Sequence, residues 1–522
     1  MVHRRNRLNR FVALGLAVAL TVSPTSAIQA SEKNWGVAGE GSWTTPANWS
    51  PSGMPTASDW VHFRTTDPMP AAEMSIDSSV LPDGSLSIQT LTFDLNTDVA
   101  LGSGNLGSAL LRLVGPAVNN PNTDLIAIMG AGDFSIQPIV GFGSGPLGLQ
   151  LAANGSFRVA QTGTKLSISS IISEFSSNSP RSITKLGLGT LQLSATNTYS
   201  GATHVSGGLL ILDGDFGSIA SKSISINGGA TLRIDNSLAL NTNRIDDAAQ
   251  ITLNGGTLEY IGNATGGTEN IGSLRVTAGA STIAFTGTWN NVLSSAGITP
   301  LAGGTLTLTG LNADNRFVVS GQTSGLLPAG VYVTSGSVPE FATYSAGAIV
   351  AVVDGGTTSD YAAGTTLTAN RVNRPTADVT QAAALTILGL RLSDFNVAGA
   401  GALTFNATAG TRSGILKTGL TATTIANPIT IGATELVIRV DDAATGTLAI
   451  NGIISGAAKP LTKTGAGTLI LNTANAYTGP TYINQGTLRF GVNSASMWDQ
   501  RRRSSRERRS TSARLPRLRR PA

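Results

Sequence analysis

Apolar and polar residues alternate along most of this chain. From about residue 85 onward the alternation runs in short bursts, as in "SLSIQTLTFDL", "SISINGGATLRI", "ITLNGGTLEYI", "GGTLTLTGL" and "TELVIRV". A period of two sends successive side chains to opposite faces of a β-strand. Several bursts share one order: an alternating strand, a Gly-Gly or Asn-Gly turn, then Thr-Leu and a further large residue. Gly207-Gly208, Gly228-Gly229, Gly255-Gly256 and Gly303-Gly304 mark this turn at intervals of 21, 27 and 48 residues, the last about twice the typical spacing. Hairpin-linked antiparallel strands would turn in two residues throughout. Units of about 20 to 27 residues instead suit single coils of a solenoid. The expected fold is all-β, mainly a right-handed parallel β-helix. About 380 residues at ~22 per coil would give roughly 17 coils and a rod of about 80 Å.

Two stretches repeat closely. Residues 182–212 and 460–490 lie 278 positions apart and are identical at 13 of 31 aligned positions. In the later copy, Leu469 and Leu471 share the face expected to enter a narrow core, and Thr468 and Ile470 the face expected to meet solvent. Gly465 and Gly467 suit a sharp corner needing positive φ. Asn475 and Asn197 can stack on neighbouring coils or bond turn backbone. Tyr477 and Tyr199 bring a large apolar body whose hydroxyl needs a partner if buried. Every motif position has a packing reason, and none requires chemistry.

The motif is carried by Lys463, Gly465, Gly467, Thr468, Leu469, Leu471, Asn475, Tyr477, Thr478, Gly479, Thr481, Gly486 and Leu488. The earlier copy carries Lys185, Gly187, Gly189, Thr190, Leu191, Leu193, Asn197, Tyr199, Ser200, Gly201, Thr203 and Gly208. This pattern resembles the autotransporter-associated β-strand repeat. The resemblance is strong over about 60 residues and extends weakly over about 350. It implies an exported bacterial passenger-type β-helix at the cell surface. Members of that family often end in an outer-membrane barrel, but no run of roughly ten-residue amphipathic strands follows Phe490.

Composition refines this picture. Charged residues are 12% of the chain, about half the usual ~25%, and Gly accounts for 62 of 522 positions. With 41% hydrophobic residues and a mean hydropathy of +0.12, the chain is too apolar to be plainly disordered. Cysteine is absent, which excludes disulfides and thiolate metal sites. The net charge of +5 comes from the ends. Setting aside the fourteen arginines and one glutamate of residues 1–30 and 501–522 leaves 21 basic against 29 acidic side chains, a net of −8. Such a body does not suit nucleic acid.

The expected domains follow. Residues 1–30 read as a signal peptide: a basic start, an apolar run from Phe11 to Val22 too short to span a bilayer, then small residues. Residues 31–84 form an N-terminal cap segment containing Trp35, Trp43, Trp49 and Trp60, with a carbohydrate-binding aromatic platform as the competing reading. Residues 85–491 are the β-helix region. Residues 492–522 are an Arg-rich tail, expected to be disordered. The abrupt change of composition there points to out-of-frame translation, with a genuine basic tail as the alternative.

Candidate chemistry is sparse. His3 lies in the signal, and His62 and His204 are isolated along the sequence. The strings "RIDDAAQ" at 244–250 and "RVDDAAT" at 439–445 hold paired acids, Asp246-Asp247 and Asp441-Asp442. Adjacent strand residues point to opposite faces, so neither pair forms a glycosidase dyad by itself, and Asp-capped turns are the simpler reading. No calcium-loop spacing occurs, and "GFGSGPLG" at 141–148 lacks the Lys and helix of a phosphate loop. The expectation is a non-catalytic surface structural or adhesion protein without cofactor, metal or nucleic-acid partner. It would be exported to the cell surface, outer membrane or medium, or to the periplasm if truncated. Its mature chain would have no transmembrane segment and would meet the outer membrane by association only, and its partner would be a surface polysaccharide or a host-cell ligand. The alternative is a polysaccharide lyase or hydrolase using acids such as Asp246 or Asp441, or a carbohydrate-binding module. Three or more charged side chains converging in one groove would favour the enzyme, and scattered charges the stalk.

Overall fold

The computed structural model describes residues 31–491 apart from 37–38, 65–69, 82, 104–107, 117–123, 138–145, 288–289, 407–410 and 443–444. Residues 1–30, expected to be a signal peptide, the Arg-rich residues 492–522 and most of 141–148 lie outside the described residues. Those described contain strands and two single-turn 3-10 helices, Pro46–Asn48 and Ser78–Val80. No helix among them is long and apolar enough to cross a membrane.

Pairing between coils is parallel, as the spacing of the turns requires. One face stacks twelve strands from Ser31–Trp35 through Ile183–Leu186 to Asn315–Val319. A second face stacks strands from Gly39–Ser42 through Thr190–Leu193 to Val331–Ser335. A third, shorter face begins with Ser85–Ile88, Ala109–Leu113, Leu147–Leu151 and Ile172–Glu174. Leu191 and Leu193 enter the narrow core between the faces, while Thr190 and Gln192 point out. Leu469 and Leu471 do the same in the later copy, so each coil buries its leucines between neighbours.

The N-terminal end of the core is closed by aromatic rings. Trp49 lies on a two-residue strand running antiparallel to Ser31–Trp35. Its ring meets Trp35 and Trp43 edge-on at 5.2 and 5.5 Å, and its indole N–H donates to the Trp43 carbonyl. Beneath them Phe63, Phe93 and Phe134 stack through successive coils at 4.6 and 3.7 Å. The solenoid thus starts within the segment expected to be a separate cap, because residues 31–64 already pair as coils.

A single straight rod does not form. After Val331–Ser335 the chain turns twice into an antiparallel meander, Val338–Ser345 and Ala348–Ala351. The second turn places Ala346 and Gly347 both at positive φ, the geometry of a two-residue hairpin. A second parallel stack then runs from Tyr361–Gly364 to Thr481–Ile483 on its first face. It packs beside the end of the first stack, not beyond it. Asn484 donates to the Gly303 carbonyl at 2.8 Å, Arg439 to the Thr307 hydroxyl at 2.7 Å, and Arg391 pairs with Glu340. Strands Ser413–Lys417 and Leu461–Thr464 are consequently buried at every position, on both faces.

Candidate functional site

The motif lysines do the same structural job in both copies. Lys463 and Lys185 are wholly buried. The Lys463 Nζ donates to the carbonyls of Thr464, Gly465 and Gln485 at 2.7, 2.6 and 3.0 Å. Lys185 donates to Leu186, Gly187 and Gly207 at 2.8, 3.1 and 3.1 Å. Two of the three carbonyls belong to the lysine's own corner and the third to the next coil, so one ammonium ties two coils together. Burial pushes both ammonium groups down to about 8, which leaves them charged at neutral pH with all three donors in place.

The remaining motif residues complete this joint. Gly465 and Gly187 adopt φ of 74° and 79° at the corner. Gly467 has no positive φ, contrary to expectation; a Cβ there would lie 2.6 Å from the Asp442 carbonyl oxygen, so close approach of the preceding coil requires glycine. Asn197 accepts from the Ile172 amide and donates to the carbonyls of Ala195 and Ser218, bridging three coils. Asn475 repeats this toward Ile454 and Thr473. The hydroxyls of Tyr199 and Tyr477 meet those of Thr203 and Thr481 at 2.9 and 2.8 Å. All these groups are engaged with the fold itself.

The two acid-pair strings diverge. Asp246 accepts from the Ala248 amide, and Asp442 from the Thr445 amide, as Asp-capped turns do. Asp441 is ion-paired with Arg439 at 2.8 Å beside the junction of the stacks. Arg244, by contrast, is buried and donates to Asn236 and to the carbonyls of Gly217, Gly214 and Ala239. Asp246 and Asp441 thus sit in different stacks and form no dyad. His204 bonds the Ser225 hydroxyl on the outer surface. No group of three or more metal-ligating side chains occurs among the described residues.

Glu269 is a buried acid the sequence reading passed over. Its carboxylate accepts from the Ile245 amide at 2.8 Å, and burial pushes it from 4.5 up to about 7, against the pull of Arg244 and with Asp247 nearby. Folding therefore binds a proton between pH ~4.5 and ~7, and this stability is present below 4.5 and lost as pH rises through 7. Glu269→Gln should remove that slope, on the order of 3 kcal/mol across the window. Melting temperatures of the two proteins from pH 4 to 8 should converge in acid and separate toward neutrality; parallel curves would contradict the assignment.

Two concavities stand out. One, about 720 Å³, lies between the stacks and is lined by residues including Leu326, Asn370, Asn406 and Arg412. The other, about 350 Å³, lies on the outer face of the first N-terminal coils, among Glu32, Trp60, His62, Arg64, Asp124 and Arg158. Charged groups do converge in this groove. Glu32 pairs with Arg64 and lies 3.1 Å from His62, and Asp124 pairs with Arg158 at 2.6 Å. Glycoside cleavage needs one protonated carboxyl facing a second carboxylate across the bond. Here each carboxylate is taken up by an arginine. The platform of four tryptophans is also overturned: Trp35, Trp43 and Trp49 are core residues, and Trp60 alone of the four is partly exposed.

Comparison with known proteins matches the two repeats. The passenger-associated-transport-repeat model fits residues 183–212 and 461–490, the two lysine joints described above. The chain thus carries two stretches similar to passenger-associated-transport repeats. It is 27% identical over 407 residues to the adhesin BmaC autotransporter of Brucella suis biovar 1 (strain 1330). That alignment takes in 67% of this chain and 11% of the relative, so the chain spans about a tenth of that protein's length. No solved structure matches.

Sequence reasoning found the joints and missed the groove. Its residues come from positions 32 to 158 and carry no local motif. The available signal was outward-facing charge on consecutive coils, visible only once the register is known.

Proposed function

We propose that the chain is part of an exported, non-catalytic surface protein that serves in adhesion. The observation that carries this reading is the repeat itself, whose Lys and Asn side chains bond the neighbouring coil and whose other polar motif residues are engaged with the fold. The relative is an adhesin, which supports the same use. The passenger would stand at the cell surface or be released from it.

The test is protease shaving of intact producing cells, together with an attachment assay after deletion of the gene. Deletion should lower attachment several-fold, and complementation with the Asp246→Asn/Asp441→Asn double variant should restore it fully. Protein shielded from the protease, attachment unchanged by deletion, or failure of the double variant to complement would overturn the reading.

A further inference from the structure

The N-terminal groove has the geometry of a ligand site. Strand register places Asn34, His62, Thr92, Ala127 and Arg158 in one line across five neighbouring strands of the first face. At ~4.8 Å per strand, His62 and Arg158 stand about 14 Å apart along the solenoid. Between them the line falls to two short side chains, Thr92 and Ala127, only 8% and 2% exposed. Trp60 and Arg64 rise beside His62 at one end and Arg158 stands at the other, with Met129, 41% exposed, flanking the floor two positions past Ala127. The groove is therefore a trough with a low floor and tall ends. At about 350 Å³ it falls within the ~300–1,000 Å³ of ordinary ligand clefts.

Its chemistry is mixed in a specific way. Two arginines and two carboxylates are locked in ion pairs, Glu32 with Arg64 and Asp124 with Arg158, and Ser156 also bonds Asp124. Each pair offers donors and an acceptor side by side, in positions fixed before any ligand arrives. Vicinal hydroxyls, which donate and accept at once, match such pairs. The partly exposed indole of Trp60 gives an apolar surface for the C–H face of a sugar ring. The charges cancel, so the trough offers no net attraction to an anionic chain.

We propose that this trough binds a neutral glycan, a short run of hexoses lying along the solenoid axis between Trp60 and Arg158. The proposal rests on the adhesion reading and gives it a ligand class.

The test titrates the full chain with cellohexaose, maltohexaose and laminarihexaose, using tri-galacturonate as the anionic comparator, and follows indole fluorescence and calorimetric heat. At least one neutral oligosaccharide should saturate. Trp60→Ala should weaken it tenfold or more, Trp60→Phe should recover part of the loss, and Thr92→Tyr, which fills the floor, should abolish binding. Circular dichroism melts of the variants should overlay the parent, which separates loss of the site from loss of the fold. Absence of saturation by all three neutral sugars, equal affinity in Trp60→Ala and Thr92→Tyr, or tighter binding of the galacturonate would overturn the proposal. Attachment lost on gene deletion but kept in Trp60→Ala cells would overturn the glycan site and leave the adhesion reading standing.

Discussion

Glu435→Ala should pull the two stacks apart. Glu435 and Arg412 form an ion pair of 2.7 Å with side chains only 2% and 5% exposed. The other Glu435 oxygen accepts from the Gly303 amide, on the first stack, and from the Thr462 hydroxyl. Truncation leaves the Arg412 guanidinium buried against the junction without its counter-charge. Breaking a buried pair from one side costs about 3–5 kcal/mol, whereas replacing both partners by apolar residues is often neutral. The junction is held further by Arg439, which also lies over the Tyr332 ring at 4.7 Å, so loss of Glu435 should loosen the contact before either stack melts. The readout is limited proteolysis across residues 352–360, where Val353 is exposed, together with urea unfolding. Glu435→Ala should be cut much faster and unfold in two steps, and Arg412→Met/Glu435→Leu should return toward the parent. A Glu435→Ala protein that resists the protease as the parent does would end the case for an electrostatic lock.

Lys463→Met should be nearly as damaging, by a different route. The substitution keeps the aliphatic stem and removes the ammonium, leaving the buried Thr464 and Gly465 carbonyls, and the more accessible Gln485 carbonyl, without their donor. Orphaned buried acceptors cost about 1–3 kcal/mol each, offset in part because the cation no longer has to be buried, so a net loss of about 3 kcal/mol is expected. Lys185→Met should match it within about 1 kcal/mol, because Leu186, Gly187 and Gly207 present the same three acceptors. In a solenoid the damage is local, and amide exchange should quicken in the coils on either side of the altered corner while distant coils stay protected. Unequal effects at the two lysines, or fast exchange spread over the whole chain, would show that the joint is not the repeating unit of stability.

The legible part of this protein is the part that repeats. Leu469, Asn475 and Tyr477 find their partners within one coil, and their spacing states the coil length. The lysine's role was not legible, although its position was. Nothing in "KTGAG" tells that the side chain bends back over its own corner, because acceptors on a backbone leave no mark in sequence. The hairpin turns at Gly336-Ser337 and Ala346-Gly347 were readable as turns. They were submerged in a chain where glycine turns are everywhere. The two strings "RIDDAA" and "RVDDAA" look alike, yet Arg244 holds the loops of its own stack while Arg439 reaches across to the other.

Alternation of side chains and the glycine-marked turns determined, by themselves, that the chain coils into parallel β-structure with its leucines inside, since burial between adjacent coils depends only on local period. Tertiary structure alone decided that there are two stacks side by side, that Thr462 and Thr464 are buried, and that Glu32, Trp60 and Arg158 share a groove. Contacts such as Gly303 with Glu435 join residues 132 apart on outward faces, where the period-two code says only "away from the core" and leaves open whether water or another stack lies there.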